Sequence, residues 1–393
     1  MHTTILAPSS APTSTPLAPV APFFRNRTIT SHGAQRGKLT TLTLEEVRDD
    51  IRRRAEVQQP GEDVRILGLT HLDFHGEDRV TMHYVDKTGT RRSGAVSDHA
   101  FRQLAADVLP ARGAGFIQEL MDTGPAGRKL STVTWAQFVQ RSEVRDLTRM
   151  LRYVNAKDSN GQVVRVLRAA VGAKFAIYDN LQFVEDLLNQ ADLTNLPVLH
   201  YRVDDTAFRL RLLLQPREEV ELRKPVPMVQ AWNSEVGGRS TSLGGGLWTL
   251  VCTNGMSRQD ITTKFAWRHS GSSDRIRTQV RGAVDQILTL NSGLLDQYTR
   301  ALDIQVDTML EWLNQELTEA KLPERLAEPI VQAARDDLSG QYGSLANLVN
   351  GVTLLAQNTD FSLDYATEIE EFGGRILLRG LQQAHDGRIT IEA

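Results

Sequence analysis

The sequence predicts an α+β fold in which β-hairpins pack on a long helix and the C-terminal region is mainly helical. Three observations predict it. Between residues 198 and 253 apolar and polar residues alternate, interrupted by two short turn strings, which is the pattern of paired strands. Beyond residue 274 apolar residues recur every three to four positions, the pattern of amphipathic helices. The chain of 393 residues is 40% apolar and 24% charged, a balance that suits a folded protein and is too apolar for a wholly disordered one. Its length suggests about two to three domains. It contains no run of eighteen apolar residues, so no membrane span is expected. The single cysteine, Cys252, excludes an internal disulfide and a multi-cysteine zinc site, and fits a reducing, cytoplasmic setting.

Residues 1–40 read as a tail. Pro8, Pro12, Pro16, Pro19 and Pro22 alternate with Ser, Thr and Ala, leaving little apolar surface to bury and interrupting any secretory signal. Residues 41–125 read as a small α+β unit. Thr43 with Glu46 forms a capping-box start, and Val47 and Ile51 follow as an apolar i, i+4 pair. β-rich runs cover 64–74 and 79–85, and a third strand follows Lys87-Thr88-Gly89. Ser97 caps a helix over 98–109, and a second helix covers 115–121.

A central α+β core is expected over 126–300. The spacing from 134 to 151 predicts a helix with Arg141, Arg145, Arg149 and Arg152 along one face. Residues 163–170 form an apolar run punctuated by Arg165 and Arg168, and 180–190 a helix. Strands 198–203 and 207–214 make one hairpin, with Arg209 and Arg211 on one face and Phe208, Leu210 and Leu212 on the other. Strands 226–236 and 240–252 flank Gly237-Gly238 as a second. Helices are expected over 274–291, 293–322, 324–338 and 340–357. An acidic helical region occupies 301–393, where Gly373-Gly374 and Gly387 break any long element.

The formal net charge of -3 conceals a polarity. From 303 to 393 there are 16 Asp and Glu against 6 Lys and Arg, a net of -10, which leaves +7 on the first 302 residues. The basic side concentrates at Lys264-Phe265-Ala266-Trp267-Arg268-His269 and at Arg275, Arg277 and Arg281, five Lys and Arg against Asp274. Arginines at a helix start are unfavourable unless an anion joins them, and a phosphate would serve. Phe265 and Trp267 alternate with Lys264 and Arg268, a combination that suits stacked bases of a single strand. Arg202, Arg209 and Arg211 in the hairpin repeat the theme, and Arg165, Arg168 and Lys174 join the candidate set.

Other motifs carry less. His71, Asp73 and His75 share one face of a strand, and two imidazoles with a carboxylate can hold a divalent metal. A half-solvated strand alternates in the same way, so they remain weak metal candidates and no cofactor is expected. Gly244-Gly245-Gly246 is followed by Leu247-Trp248, not by the Lys-Ser or Lys-Thr of a phosphate loop; a strand bulge or a close backbone approach between subunits fits better. Cys252 lies in an apolar strand and reads as a buried, inert thiol. No nucleophile elbow, zinc-protease or kinase signature occurs, so an enzyme is not expected.

Several strings resemble a phage- and plasmid-encoded family of unknown function. They are 97–105 (SDHAFRQLA), 168–180 (RAAVGAKFAIYDN), Trp232-Asn233-Ser234-Glu235 with Gly237, 251–256 (VCTNGM), and Arg268-His269. Their order and spacing match over roughly residues 90–300. That family in turn is similar in architecture and charge to ring-forming single-strand annealing proteins, which pack β-hairpins on a long helix and hold single-stranded DNA in a basic groove. The resemblance implies a homo-oligomer with single-stranded DNA as partner. The acidic end lies outside it, and would cover the groove, face a neighbouring subunit or recruit a basic protein. Three functions are thus in play: a non-catalytic single-stranded DNA-binding or annealing protein, an assembly protein of a mobile element, and a metal-dependent nuclease built on His71, Asp73 and His75.

Overall fold

The structure is a computed structural model and describes residues 27–30, 42–57, 63–66, 73–76, 80–85, 90–110, 113–141, 144, 147–157, 163–190, 193, 196–203, 206–215, 221, 224–250, 257–305, 309–338, 343–357 and 363–387. The fold is α+β, with a mainly helical C-terminal region. It divides into two compact units, 55–173 and 24–54 with 174–393. The boundaries at 125 and 300 drawn from the sequence therefore fall inside units.

The chain opens with β1 (Arg27–Thr30) and α1 (Leu44–Val57), which belong with the C-terminal residues. The Thr43 hydroxyl accepts from the Glu46 amide at 3.1 Å and the Glu46 carboxylate from the Thr43 amide at 2.8 Å, so the capping box forms as the sequence predicts. The first compact unit then holds β2 (Val64–Ile66), β3 (Asp73–Gly76), β4 (Val80–Val85), β5 (Arg91–Val96), α2 (Asp98–Val108), α3 (Gly113–Asp122), α4 (Pro125–Val139), β6 (Arg149–Lys157) and β7 (Val163–Gly172). Its sheet runs β2-β6-β7-β5-β4-β3, antiparallel except between β5 and β7. Ser97 caps α2 by accepting from Ala100, as expected, and Phe101, Leu104, Trp135, Leu151 and Leu167 share a core.

One expectation fails in this unit. The helix expected over 134–151 ends at Val139, and residues 149–157 form a strand instead. Met150, Leu151, Tyr153 and Val154 are all buried, which a central strand with two covered faces requires and a one-sided helix does not. The arginine row consequently dissolves. Arg149 binds Asp107, Arg152 pairs with Asp63 at 3.2 Å and Arg141 lies over Phe138, while Arg145 is outside the described residues.

The second unit continues with α5 (Asn180–Leu188), β8 (Val198–Val203), β9 (Phe208–Leu213), β10 (Pro225–Asn233), β11 (Thr241–Leu250) and β12 (Ser257–Trp267). Six helices follow: α6 (Ser273–Asn291), α7 (Leu294–Asp303), α8 (Met309–Ala320), α9 (Glu324–Leu338), α10 (Leu345–Leu354) and α11 (Leu363–His385). The sheet is wholly antiparallel in the order β1-β8-β9-β10-β11-β12. One face carries Phe208, Leu210, Leu212, Val229, Ala231 and Leu243 into a core with α1, α5 and α6. The opposite face meets α11, and α7 to α11 share a second core around Leu345, Val349, Phe372 and Ile376. Both expected hairpins form.

The Gly244–Gly246 run does hold a bulge, between Gly245 and Gly246. The close neighbour lies in the same chain: a methyl group on Gly245 would stand 2.6 Å from Asn291 Oδ1 and 2.9 Å from Ile287 of α6. The helix expected over 293–322 is two helices, and β12 is a strand where the sequence predicts no element. Gly373 and Gly374 do not break the chain; they lie inside the continuous α11. Among the described residues no helix is long and apolar enough to cross a membrane.

Candidate nucleic-acid interface

Four segments meet at one end of the second unit's sheet: residues 174–180, the end of β10, the start of β11 and the link from β12 to α6. The link is zipped to the first segment, because Phe175 bridges Ser270 and the Ala176 amide donates to the His269 carbonyl at 3.2 Å. Buried side chains tie the rest. Asn233 Nδ2 donates to the Tyr178 carbonyl at 2.9 Å and to Asn180 Oδ1 at 3.0 Å. The Thr241 hydroxyl lies 2.8 Å from Asn233 Oδ1 and 2.9 Å from His269 Nε2. The Asn180 amide donates to Glu235 at 2.7 Å. Ser234 accepts from the Gly238 amide and donates to the Thr206 carbonyl, which fixes the turn between β10 and β11. These groups must be bonded because burying them unbonded would cost roughly 1–3 kcal/mol each.

The polar groups inside this junction are used up in holding it, whereas its rim is cationic. Lys174, Arg268 and Arg275 are exposed, and none of the three makes an ion pair with a described residue. Phe175 stacks on His269 at 4.7 Å between ring centres and remains half-buried, and Ile177 beside it is 40% exposed. Arg275 lies in the first turn of α6, where Ser272 already caps the helix by accepting from the Arg275 amide. Arg239 and Arg209 both lie over the Trp232 ring at 4.4 Å.

The other sequence-derived candidates are engaged within the protein. Arg209 and Arg211 are 2% and 5% exposed, since α11 covers the face on which they lie. Glu370 of α11 accepts from both, at 2.9 and 2.6 Å, and Gln230 Oε1 lies 3.3 and 3.1 Å from them. Burial pushes the Glu370 carboxyl up and the Arg211 guanidinium down, each against the pull of its partner. Lys264 binds Glu371, the next residue of α11. Phe265 and Trp267 stack on each other with centres 6.4 Å apart and pack, partly buried, against the α6 core. Arg165 lies over Tyr153 at 4.3 Å; it and Arg168 sit half-buried on β7 of the first unit. The acidic end is thus part of the same compact unit as the sheet, and two of its carboxylates, Glu370 and Glu371, pair with Arg209, Arg211 and Lys264.

Arg277 and Arg281 are held by buried Asp186, at 3.0 and 3.2 Å, and the Tyr178 hydroxyl donates to the same carboxylate at 2.8 Å. Burial first, then the Asp186 charge, raises the Tyr178 phenol above its ordinary value. A proton held more tightly in the folded than the unfolded state supports the fold below the unfolded value of about 10 and loses that support as pH rises further. Stability should therefore fall above pH ~10, with Tyr178 contributing up to about 1.4 kcal/mol per pH unit. The substitution Tyr178→Phe should cost about 1 kcal/mol at neutral pH and make that fall shallower. Urea midpoints from pH 8 to 11 check this; parallel curves for the two proteins would refute it.

Of the weak metal candidates, His71 lies outside the described residues, and Asp73 and His75 are in β3 with side chains that are not described. Among the described residues no group of three or more His, Cys, Asp and Glu is placed to hold a metal. Residues 251–256, with Cys252, also lie outside them. Sequence reasoning missed Phe175, Tyr178, Asp186 and Thr241. Two of these stand in the 168–180 string, but Thr241 and Asp186 carry no local signal, because only the fold brings them to their partners. Comparison of the chain with protein-family models, with curated proteins and with solved structures finds no match.

Proposed function

We propose that the chain binds single-stranded DNA without catalysing a reaction on it, as a cytoplasmic oligomer that holds or anneals strands in recombination. The observation that carries this reading is that the two segments joined at this junction expose Lys174, Arg268 and, in the first turn of α6, Arg275, and that the same segments carry a half-buried Phe175 and an exposed Ile177. Cations track a phosphate backbone, and an aromatic face between them accepts a base of any identity. The contact surface proposed here is narrower than the full basic set of the sequence. It keeps Arg268, Arg275 and Lys174 and leaves out Arg209, Arg211 and Lys264, whose charges are already met by Glu370 and Glu371.

The experiment is fluorescence polarisation with a labelled single-stranded oligonucleotide at low salt, repeated with the same sequence as duplex. The expected result is saturable binding to the single strand that weakens steeply with salt, with weaker binding to the duplex, which hides its base faces. An unchanged polarisation at low salt would refute the proposal. Large salt-sensitive assemblies that ignore the oligonucleotide would favour an assembly protein instead.

A further inference from the structure

The edge strand β12 is irregular where it meets α11. Its register with β11 steps from Gly245 opposite Thr263 to Gly246 opposite Ile261, which leaves Thr262 as an extra residue. The Thr262 hydroxyl donates to the Gly245 carbonyl at 3.3 Å. α11 lies directly against this bulge, so close that Gly374 has no room for a methyl group. Nearby, the turn from α8 to α9 holds Lys321 at φ 53°, the one non-glycine residue with positive φ among the described residues. That conformation is unfavourable for a lysine, whose side chain gives the local backbone no support. Bulges and left-handed residues gather where a chain aims groups at a ligand. Here both border a single cleft of about 350 Å³, at the small end of the range for small-molecule sites.

The cleft is lined by residues 261–264 of β12, by residues 320–323 and by Glu368, Glu371 and Arg375 of α11. Ile261, Leu322 and Pro323 supply its apolar part. Of its five charged side chains, Lys264 and Glu371 pair with each other. Lys321, Glu368 and Arg375 are exposed and make no ion pair with a described residue. For Arg375 this is against expectation. Glu371 stands four residues before it on the same helix, the favoured order for a pair, yet the guanidinium lies over Phe372 at 5.7 Å.

We infer that this cleft binds a small organic monoanion that also carries hydroxyl groups, a sugar phosphate or a sugar acid. Arg375 offers a planar fork and Lys321 a point charge to the phosphate or carboxylate. Glu368 accepts from hydroxyls, and β12, the last strand of its sheet, adds main-chain groups along its outer edge. The two carboxylates limit the charge of the occupant. A triphosphate or a nucleic-acid strand would bring several negative charges against them, whereas three cations with two carboxylates suit a single one.

The cleft shares no residue with Lys174, Arg268 and Arg275, so the inference is independent of DNA binding. The test is isothermal titration calorimetry of the full-length protein, in phosphate-free buffer, with ribose 5-phosphate, gluconate, inorganic phosphate and ribose in turn. Saturable binding of ribose 5-phosphate, gluconate or both is expected, and which of them binds decides between phosphate and carboxylate. Inorganic phosphate and ribose should each bind about ten-fold or more weaker than the better of those two. No saturable heat from either organic anion would overturn the site, as would either fragment binding as tightly as the whole. The double variant Lys321→Asn, Arg375→Gln locates the binding. Asparagine tolerates the left-handed backbone, and both side chains are exposed, so the fold should survive. Affinity should fall about ten-fold or more in it. An unchanged affinity would put the ligand elsewhere and overturn the inference, and the wild-type comparisons decide if the variant does not fold.

Discussion

Replacing Glu370 by leucine is expected to destabilise the second unit by about 3–5 kcal/mol, because Arg209 and Arg211 then stay buried with no anion between them. At roughly 2–4 °C per kcal/mol for a unit of this size, its thermal midpoint should drop by about 6–20 °C. The pair itself is worth far less than this figure. Burial opposes both charges, pushing Glu370 up and Arg211 down, so the gain from pairing is largely offset by the loss of water. It follows that removing all three charges should hurt less than removing one. The triple replacement Glu370→Leu, Arg209→Met, Arg211→Met should recover most of the lost stability. Denaturant midpoints of the three proteins check both statements; a triple variant as unstable as the single one would show that packing, not unpaired charge, is at fault.

The second large effect is at Gly374. A methyl group there would lie 2.0 Å from the Ile261 carbonyl oxygen and 2.9 Å from the Thr262 amide nitrogen, so α11 and β12 would have to move apart. Both obstacles are backbone, and no flexible side chain can swing away. Alanine normally favours a helix over glycine by about 1 kcal/mol. Overpacking costs typically 1–3 kcal/mol, and backbone on backbone belongs at or above the top of that range. Gly374→Ala should therefore lower stability by about 2 kcal/mol or more. Gly282→Ala is the control: it lies in α6 with nothing within 4 Å of an added methyl, and should raise stability by about 0.4–1 kcal/mol. Urea unfolding of both variants reads out the difference in sign. Equal gains at the two sites would contradict the close contact.

These two sites also mark where the sequence was readable and where it was not. The hairpins, the caps at Thr43 and Ser97, the acidic helices and the bulge at Gly245 follow from local chemistry, and local chemistry is what a sequence displays. The continuous α11 was hidden because Gly373-Gly374 looks like a stop, and the glycine serves a contact with a strand more than a hundred positions earlier. Strand β12 was legible in principle. Phe265 and Trp267 alternate with Lys264, Ala266 and Arg268, a period of two, but the same alternation of ring and cation also suits a ligand-binding segment. For the proposed interface, the sequence displays a cluster of cations but not which of them are paired within the fold. Glu370, Glu371 and Asp186 engage Arg209, Arg211, Lys264, Arg277 and Arg281 through contacts between remote parts of the chain. Of the candidate cations, Lys174, Arg268 and Arg275 are exposed and make no ion pair with a described residue.

The most direct test of that rim is the salt dependence of single-strand binding in the protein carrying Lys174→Ala, Arg268→Ala and Arg275→Ala together. Each phosphate contact on a single strand contributes about -0.7 to the slope of log K against log salt. Losing three should make the slope shallower by about 2 and weaken binding at low salt, with folding unchanged because none of the three side chains is buried. A slope and affinity equal to those of the wild-type protein would contradict the account and move any nucleic-acid contact elsewhere on the chain.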